Sequence, residues 1–423
     1  MGNMNKYKVA TNCRICGNAN LVPILDLGEQ MLTGVFPKKN DPLVATVGPL
    51  RLVKCMGEDS VCGLVQLAHS YNLSEMYGLN YGYRSGLNKS MVAHLHAKVD
   101  RILSLVNLSK GDLVIDIGSN DGTTLAAYPN HGLNLVGIDP TGIKFKPYYQ
   151  DHIQLISDFF SSDLIEKSFP NKKASVITSF SMFYDLEDPI DFMKNIYSVL
   201  ADDGIWIFEQ SYLPTMIETN SFDTVCHEHL EFYCLNQIQF MAEKVGFQIV
   251  DVEFNDINGG SFSVTVQKSK ISQNILPSIQ AILKSEEEQG YNSLAPFIAF
   301  EKRTKGAKQA LIDFLNNAKK EGKTVAALGA STKGNVLLQF CQITPNDITC
   351  VGEVNDEKFG CFTPGTWLPI ISEDEMLNQK PDYLLVLPWH FKKFFIGNSK
   401  FAKSKLVFPL PTLEIVDYIA SCK

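Results

Sequence analysis

A short apolar strand that breaks into a glycine turn and restarts as a helix occurs twice in this chain. The first copy is GDLVIDIGSNDGTTLAAY at 111–128 and the second is TVAALGASTKGNVLLQF at 324–340. Such a turn sets the free backbone N–H groups of a helix start at the edge of a parallel sheet, where Rossmann-like folds bind ligands. Each copy is followed by a second apolar strand with an acidic end. LNLVGIDPTG ends in Asp139 and ITCVGEVN ends in Glu353. Further strands follow each pair: ASVITSFSMFYDLEDP and DDGIWIFEQSYL after the first, DYLLVLPWH after the second. The fold class is therefore α/β with two Rossmann-like units, and 423 residues suffice for two to four domains with separate cores.

The first turn carries the more specific chemistry. Gly118 and Gly122 let the backbone approach a ligand, and a carboxylate at Asp139 suits the two ribose hydroxyls of an adenosine. The turn reads DIGSNDG rather than GxGxxG, and Asp116 precedes it. That variant resembles motif I of the class I methyltransferases that use S-adenosylmethionine. The resemblance implies a cofactor site built from Asp116, Gly118, Asn120, Asp121, Gly122 and Asp139. It adds Ser181, at the end of the strand that lines the cofactor's far side. It also sets Asp158 and Phe159, in SDFF, against the adenine.

Before this unit, Cys13 and Cys16 form CRIC, and Cys55 and Cys62 close CMGEDSVC. A CxxC followed by a second cysteine pair predicts one tetrahedral zinc, although the second pair is spaced by six residues. Four protein ligands make such a site structural. A segment of about 70 residues with few long apolar runs needs such a staple. Gly17 and Gly63 follow the last cysteine of each pair, where a tight turn lets backbone N–H groups face the sulfurs.

Charge and hydropathy exclude several partners. The formal net charge is −8 with no basic block, which argues against nucleic acid and anionic membrane. No apolar run reaches a spanning length, and MGNMNKYKVATNC lacks the apolar stretch of a signal peptide. The expectation is a cytoplasmic protein with reduced cysteines, and a monomer by default.

The densest cluster of reactive groups is FDTVCHEHLEFY at 222–233. With it the whole chain resembles the zinc-containing sugar C-methyltransferases of deoxysugar pathways. The paired cysteines ending in CGLVQLAHSY, YGYRSG at 81–86, DIGSNDG, CHEHLEFY, NGGSF at 258–262, GASTKGN and PGTWLPI carry the resemblance in that order. It implies transfer of a methyl to C3 of a nucleotide-linked 4-keto-6-deoxyhexose. A carbon beside a ketone is acidic only through its enolate, so a base near neutral pKa is needed. The resemblance makes His229 that base, Glu228 its orienting group, and Tyr83 a partner for the C4 carbonyl. Two positions depart from the family pattern: Cys226 stands where a tyrosine is usual, and Asp185 where a histidine is usual. An extended HEH segment also sends His227 and His229 to opposite sides, so at most one of them faces substrate.

The same resemblance gives the last domain the nucleotide end of the sugar. Lys333 and Asn335 belong to its glycine turn, and Glu353 and His390 sit near strand ends. Asn258, Gly260 and Ser261 are either a plain hairpin or a close approach to substrate, and the resemblance favours the second. The expected organisation is a zinc-binding module at 1–70, a methyltransferase domain at 71–268, connecting helices at 269–320 and a Rossmann-like sugar-nucleotide domain at 321–423. Residues 77–84 would close the cleft between the two sheets. The other readings of the same residues are an O- or N-methyltransferase on a small molecule, and a non-catalytic zinc protein that binds nucleotides.

Overall fold

The computed structural model describes residues 7–39, 45–58, 60–76, 83–269 and 275–417. Residues 77–82, expected to close the cleft, lie outside them. The N-terminal module holds β1 (Tyr7–Val9), β2 (Leu21–Met31), β3 (Val47–Cys55), β4 (Val65–Leu67) and β5 (His69–Tyr71). Among the described residues β1 pairs with β5 in a two-stranded sheet.

The central unit holds β6 (Leu113–Ile117), β7 (Asn134–Ile138), β8 (Ile153–Ile156), β9 (Ala174–Phe180), β10 (Leu200–Ser211), β11 (Glu231–Phe232), β12 (Phe247–Asn255) and β13 (Ser261–Lys268). Seven strands form one sheet in the order β12-β13-β10-β9-β6-β7-β8. β6 to β10 run parallel, while β13 and β12 are antiparallel additions at one edge. The chain winds from β6 one way to β8, then the other way from β9. The crevice for a ligand is therefore between the ends of β6 and β9. β6 reads LVIDI with every residue buried, as expected of a strand covered on both faces.

β11 does not join that sheet. It pairs antiparallel with β4 and completes the four-stranded order β11-β4-β3-β2 of the N-terminal module.

The last unit holds β14 (Val325–Leu328), β15 (Val351–Glu353), β16 (Ile370–Ser372), β17 (Tyr383–Val386), β18 (Lys405–Phe408) and β19 (Glu414–Val416), in the order β16-β15-β14-β17-β18-β19. All pairs are parallel except β18 with β19. Its reversal lies between β14 and β17, the same plan as the first sheet. The two glycine turns repeat in detail as well. A Cβ on Gly118 would lie 3.1 Å from Met182, in the loop after β9, and a Cβ on Gly329 would lie 2.9 Å from Pro388, in the loop after β17. Both glycines also have positive φ, 71° and 82°.

The charged segment between the sheets forms helices Pro277–Glu288 and Ala295–Lys320. Glu286 gives the first of these a definite task. Its buried carboxylate accepts from the N–H groups of Leu235 (2.6 Å) and Asn236 (3.0 Å) and from the Tyr212 hydroxyl (2.7 Å). It thereby caps helix Leu235–Val245, where a negative charge is favoured. One apolar cluster runs from β2 and β3 through residues 213–234 into the last sheet, so the N-terminal module and the last domain share a core.

Candidate active site at the seam of three units

The four N-terminal sulfurs lie within 4.8 Å of one another. Cys13 Sγ is 3.3 Å from Cys62 Sγ, and Cys16 Sγ is 3.5 Å from Cys55 Sγ. Tetrahedral zinc with bonds of about 2.3 Å spaces thiolates by roughly 3.8 Å, so the donor set fits that ion. Gly17 and Gly63 have φ of 76° and 70°, the left-handed turns the sequence calls for. N–H groups of Ile15 and Cys16 face the Cys13 sulfur, and that of Leu64 faces Cys62. Lys54, almost wholly buried, donates to the Gly63 carbonyl at 2.7 Å and brings positive charge to a group of thiolates.

At the first glycine turn, Asn120 sits at φ 49° and Gly122 at 77°. A Cβ on Gly122 would press within 3.1 Å of the Tyr149 ring. Asp139 is buried at the end of β7. Its Oδ2 accepts from the Asn120 N–H (2.8 Å), and its Oδ1 from the N–H (2.7 Å) and hydroxyl (2.5 Å) of Thr141. This acid thus shapes the turn from within. Asp116 is buried under the turn, accepts from the Thr178 hydroxyl at 2.6 Å, and is pushed up to about 7 by burial. Asn120 Oδ1 and Asp121 Oδ2 accept from the N–H groups of Ser85 and Gly86, both at 2.9 Å. Asn120 Nδ2 donates to the Tyr83 carbonyl at 3.2 Å. Tyr83 therefore lies over this turn, with a side chain that is half exposed. Ser181 has φ 55°, and its N–H donates to the Glu209 carbonyl at 2.7 Å. Asp158 and Phe159 are both exposed. The glycine turn at the end of β6, beside the crevice between β6 and β9, suits an adenosine cofactor.

The CHEHLEFY segment is the meeting point of the three units. His227 is wholly buried, edge-on to Tyr71 with ring centroids 4.6 Å apart, and burial pulls it down to about 3. His229 points the other way and keeps some exposure. Its Nδ1 is 2.8 Å from the Thr224 carbonyl. A carbonyl only accepts, so Nδ1 carries the proton and Nε2 keeps a lone pair. The ring packs on Tyr184 at 4.3 Å. Burial first, and the nearby Lys333 ammonium second, pull His229 to about 3. At neutral pH it is an uncharged imidazole with an open acceptor.

Glu228 does not orient His229, contrary to the sequence expectation. Residues 226–229 make a turn closed by the His229 N–H on the Cys226 carbonyl at 3.2 Å, and Glu228 Oε2 accepts from the Thr33 hydroxyl at 3.4 Å. Burial raises its pKa, opposed by hydrogen bonds from Cys226, Thr33 and the Gly34 backbone. A Cβ on Gly34 would collide with Glu228 Oε1. Cys226 is buried with its thiol held well above the usual range, chiefly by burial, so it is a neutral donor rather than a nucleophile. Asp185 lies in the turn Phe183–Asp185, and its charge bears on Cys226.

The last domain reaches into this cluster with Lys333. Its Nζ donates to the Asn258 carbonyl at 2.6 Å, which joins the second glycine turn to the NGGSF loop. Burial lowers Lys333 and raises Asp223, each opposed by the other's charge. Trp389 Nε1 donates to Asp223 Oδ2 at 2.8 Å. His390 follows, drawn down to about 3 by burial and by Lys333. The NGGSF loop needs its glycine, because a Cβ on Gly260 (φ 120°) would run into the Thr215 side chain. Ser261 is buried, and its hydroxyl donates to the Ile257 carbonyl at 2.9 Å.

Two residues expected to meet the sugar nucleotide are engaged inside the protein. Glu353 Oε2 accepts from the Ala330 N–H (2.7 Å), and Oε1 from those of Val354 (2.7 Å) and Asn355 (2.9 Å). It latches the second turn as Asp139 latches the first. Asn335 is wholly buried and donates to the Thr33 carbonyl at 2.8 Å, so it sets the loop that covers Glu228. Thr33, Gly34, Thr224 and Trp389 join the site without any signal in the sequence, since each acts through a backbone or from a remote unit.

Three family models match in tandem. "Putative zinc binding domain" covers 13–77, "Methyltransferase domain" covers 89–252, and "C-methyltransferase C-terminal domain" covers 256–411. The chain is 27% identical over 409 residues to C-methyltransferase NovU of Streptomyces niveus, across 96% of each chain. Among solved structures, LepI with S-adenosylmethionine matches 44% of this chain and 54% of its own at 13% identity and TM-score 0.34. The magnesium protoporphyrin IX methyltransferase of Synechocystis PCC 6803 with S-adenosylmethionine matches 43% of this chain and 79% of its own, at 14% identity and TM-score 0.30. Among the described residues, no helix is long and apolar enough to cross a membrane.

Proposed function

Since the chain belongs to the zinc-binding, S-adenosylmethionine-dependent C-methyltransferases, we propose that it methylates C3 of a nucleotide-linked 4-keto-6-deoxyhexose through an enolate. S-adenosylmethionine supplies the electrophilic methyl. The observation that carries the reading is the His229 ring: Nδ1–H is committed to the Thr224 carbonyl, and Nε2 stays an acceptor near a half-buried cation from another domain.

In this reading Nε2 takes the C3 proton. A neutral base with a depressed pKa becomes competent only as negative charge appears next to it. The enolate is that charge, so proton loss and enolate formation reinforce each other. Lys333 balances the growing charge at the seam. Glu228 and Tyr83 complete the polar surround of the hexose, and the turn at Gly329–Lys333 takes the diphosphate end. Two glycine turns, one per sheet, account for two adenosine- or nucleotide-like ligands meeting at one seam.

The test uses the full chain and a panel of dTDP- and GDP-4-keto-6-deoxyhexoses in deuterium oxide, followed by NMR. C3 exchange without S-adenosylmethionine, and a new carbon-bound methyl with it, are expected. Both are lost in His229→Ala. Methyl transfer to oxygen or nitrogen with no C3 exchange overturns the enolate reading.

A further inference from the structure

The zinc site and the base are bound together by one side chain. Arg14 lies between the zinc ligands Cys13 and Cys16, and its side chain is only 4% exposed. It does not turn outward, as a residue of a surface knuckle would. Its Nη1 donates to the Leu67 carbonyl at 2.8 Å and reaches the Leu230 carbonyl at 3.5 Å. Its Nη2 donates to the Ser70 hydroxyl at 2.9 Å, and its Nε stands 3.7 Å from the wholly buried Glu231 carboxylate.

Leu230 and Glu231 are the two residues after His229. The Leu230 carbonyl also accepts from the Leu67 N–H at 2.8 Å, and Glu231 and Phe232 pair with Gln66 and Val65. The stretch that follows the base is thus an edge strand of the zinc module's sheet. A second strut comes from Gln237, whose side chain donates to the Cys62 carbonyl at 2.7 Å. An ion held by four cysteines only to fold 70 or so residues would need neither a buried guanidinium aimed at this loop nor a strand donated by it.

We propose that Arg14 is a positioning residue, which holds His229 in register by fixing Leu230 and β11 to the zinc knuckle. Zinc occupancy then sets the geometry of the base as well as the stability of the module. The inference rests on His229 being the base, and its test separates the two ideas. Arg14→Lys keeps the charge but cannot span Leu67, Ser70 and Glu231 together.

The measurements are made on full-length, zinc-loaded protein with metal content checked at one ion per chain. In 15N NMR the His229 ring is identified among eight histidines by its loss in His229→Gln. In Arg14→Lys the unprotonated Nε2 signal is expected to shift or broaden. Turnover is expected to fall on the order of 10- to 100-fold, as for a misplacement of about 1 Å. KM for the sugar and affinity for S-adenosylmethionine should stay within about twofold, since uniform binding is untouched. The NMR arm needs no sugar, so it reports on Arg14 even when no substrate is turned over. If Arg14→Lys loses zinc or fold, Glu231→Gln decides in its place, because it touches no sulfur ligand and should move the same signal by less. An unchanged His229 signal in the folded, zinc-loaded variant overturns the proposal.

Discussion

His229 should remain an uncharged imidazole far below the pH at which a histidine ordinarily titrates. A free ring titrates near 6.5, and here burial and the Lys333 ammonium hold it to about 3. That difference corresponds to about 5 kcal/mol against the imidazolium in the substrate-free protein. The perturbation is Lys333→Met, which removes the second cause and leaves the first. The His229 value should rise part of the way toward 6.5, with burial still holding it low. The assay is a 15N titration of the ring between pH 4 and 8, beside the pH dependence of C3 exchange. In the unaltered protein Nε2 should show no proton across this range, and exchange should show no histidine limb near 6.5. In Lys333→Met the exchange rate should fall, because the enolate loses its nearby cation, typically by two orders of magnitude or about 3 kcal/mol. A His229 ring that titrates between 6 and 7, or that carries its proton on Nε2, would rule out a neutral Nε2 base at this seam. The Thr224 carbonyl would then not be fixing the tautomer, and the seam would not be dry enough to neutralise a base.

Four other outcomes follow from the same geometry. His227→Phe should keep most of the activity, since this ring is sealed against Tyr71 and meets the site only through its 3.4 Å contact with the Thr33 hydroxyl. Its folded value near 3 lies below the unfolded 6.5, so the stability it contributes is complete above pH 6.5 and lost as pH falls toward 3. Calorimetry of the variant should therefore show acid destabilisation reduced by about 1.4 kcal/mol per pH unit between pH 4 and 6. Gly34→Ala should drive the Glu228 carboxylate from its place, at a cost of about 1–3 kcal/mol in stability, and lower turnover with little change in zinc content. Cys55→Ser should release the metal, read by a chromogenic chelator, and should lower Tm. Glu353→Gln replaces two charged acceptors that hold three N–H groups with one neutral acceptor. It should cost about 1–3 kcal/mol by thermal melt and weaken binding of the sugar nucleotide.

What the sequence reveals about this molecule follows the range of the forces involved. The glycine turns, the acidic strand ends and the paired cysteines are local patterns, each fixed by a few neighbouring residues. They announce both sheets and the sulfur cluster correctly. The acidic ends do more than their position in the sequence suggests, for a physical reason. Asp139 and Glu353 appear in sequence as free carboxylates beyond a strand, fit for a ribose. In the fold each accepts one N–H of its glycine turn, Asn120 for Asp139 and Ala330 for Glu353, together with N–H groups of the residues just after it, and a buried carboxylate with such partners at 2.7–2.9 Å satisfies them first. Asn335 is a similar case, since its amide is drawn to the Thr33 carbonyl, 302 residues away in the chain. No spacing rule reports such a contact. Nor does periodicity assign β11 to a sheet, because two residues carry no period.

The placement of β11 also explains why the chain needs three units. The proposed base, His229, on a loop between β10 and β12 of a methyltransferase sheet would otherwise be anchored through the loop's two ends only, with its middle free to move. Here the loop is held at several points along its length by the two units that flank the methyltransferase sheet. Asp223 is tied to Trp389 in the last domain, Glu228 to Thr33 in the first, and Glu231 pairs with Gln66 in the zinc sheet. The methyltransferase sheet contributes the stem, through the Leu213 N–H on the Tyr233 carbonyl. A carbon acid gives up its proton only to a base set within a few tenths of an ångström of a near-attack geometry. Loops seldom reach that precision from their own sequence, and rigid neighbours must supply it. Rigidity at His229 is therefore a property of the seam, and cutting the chain between its domains would cost the proposed base its place even if each piece still folded.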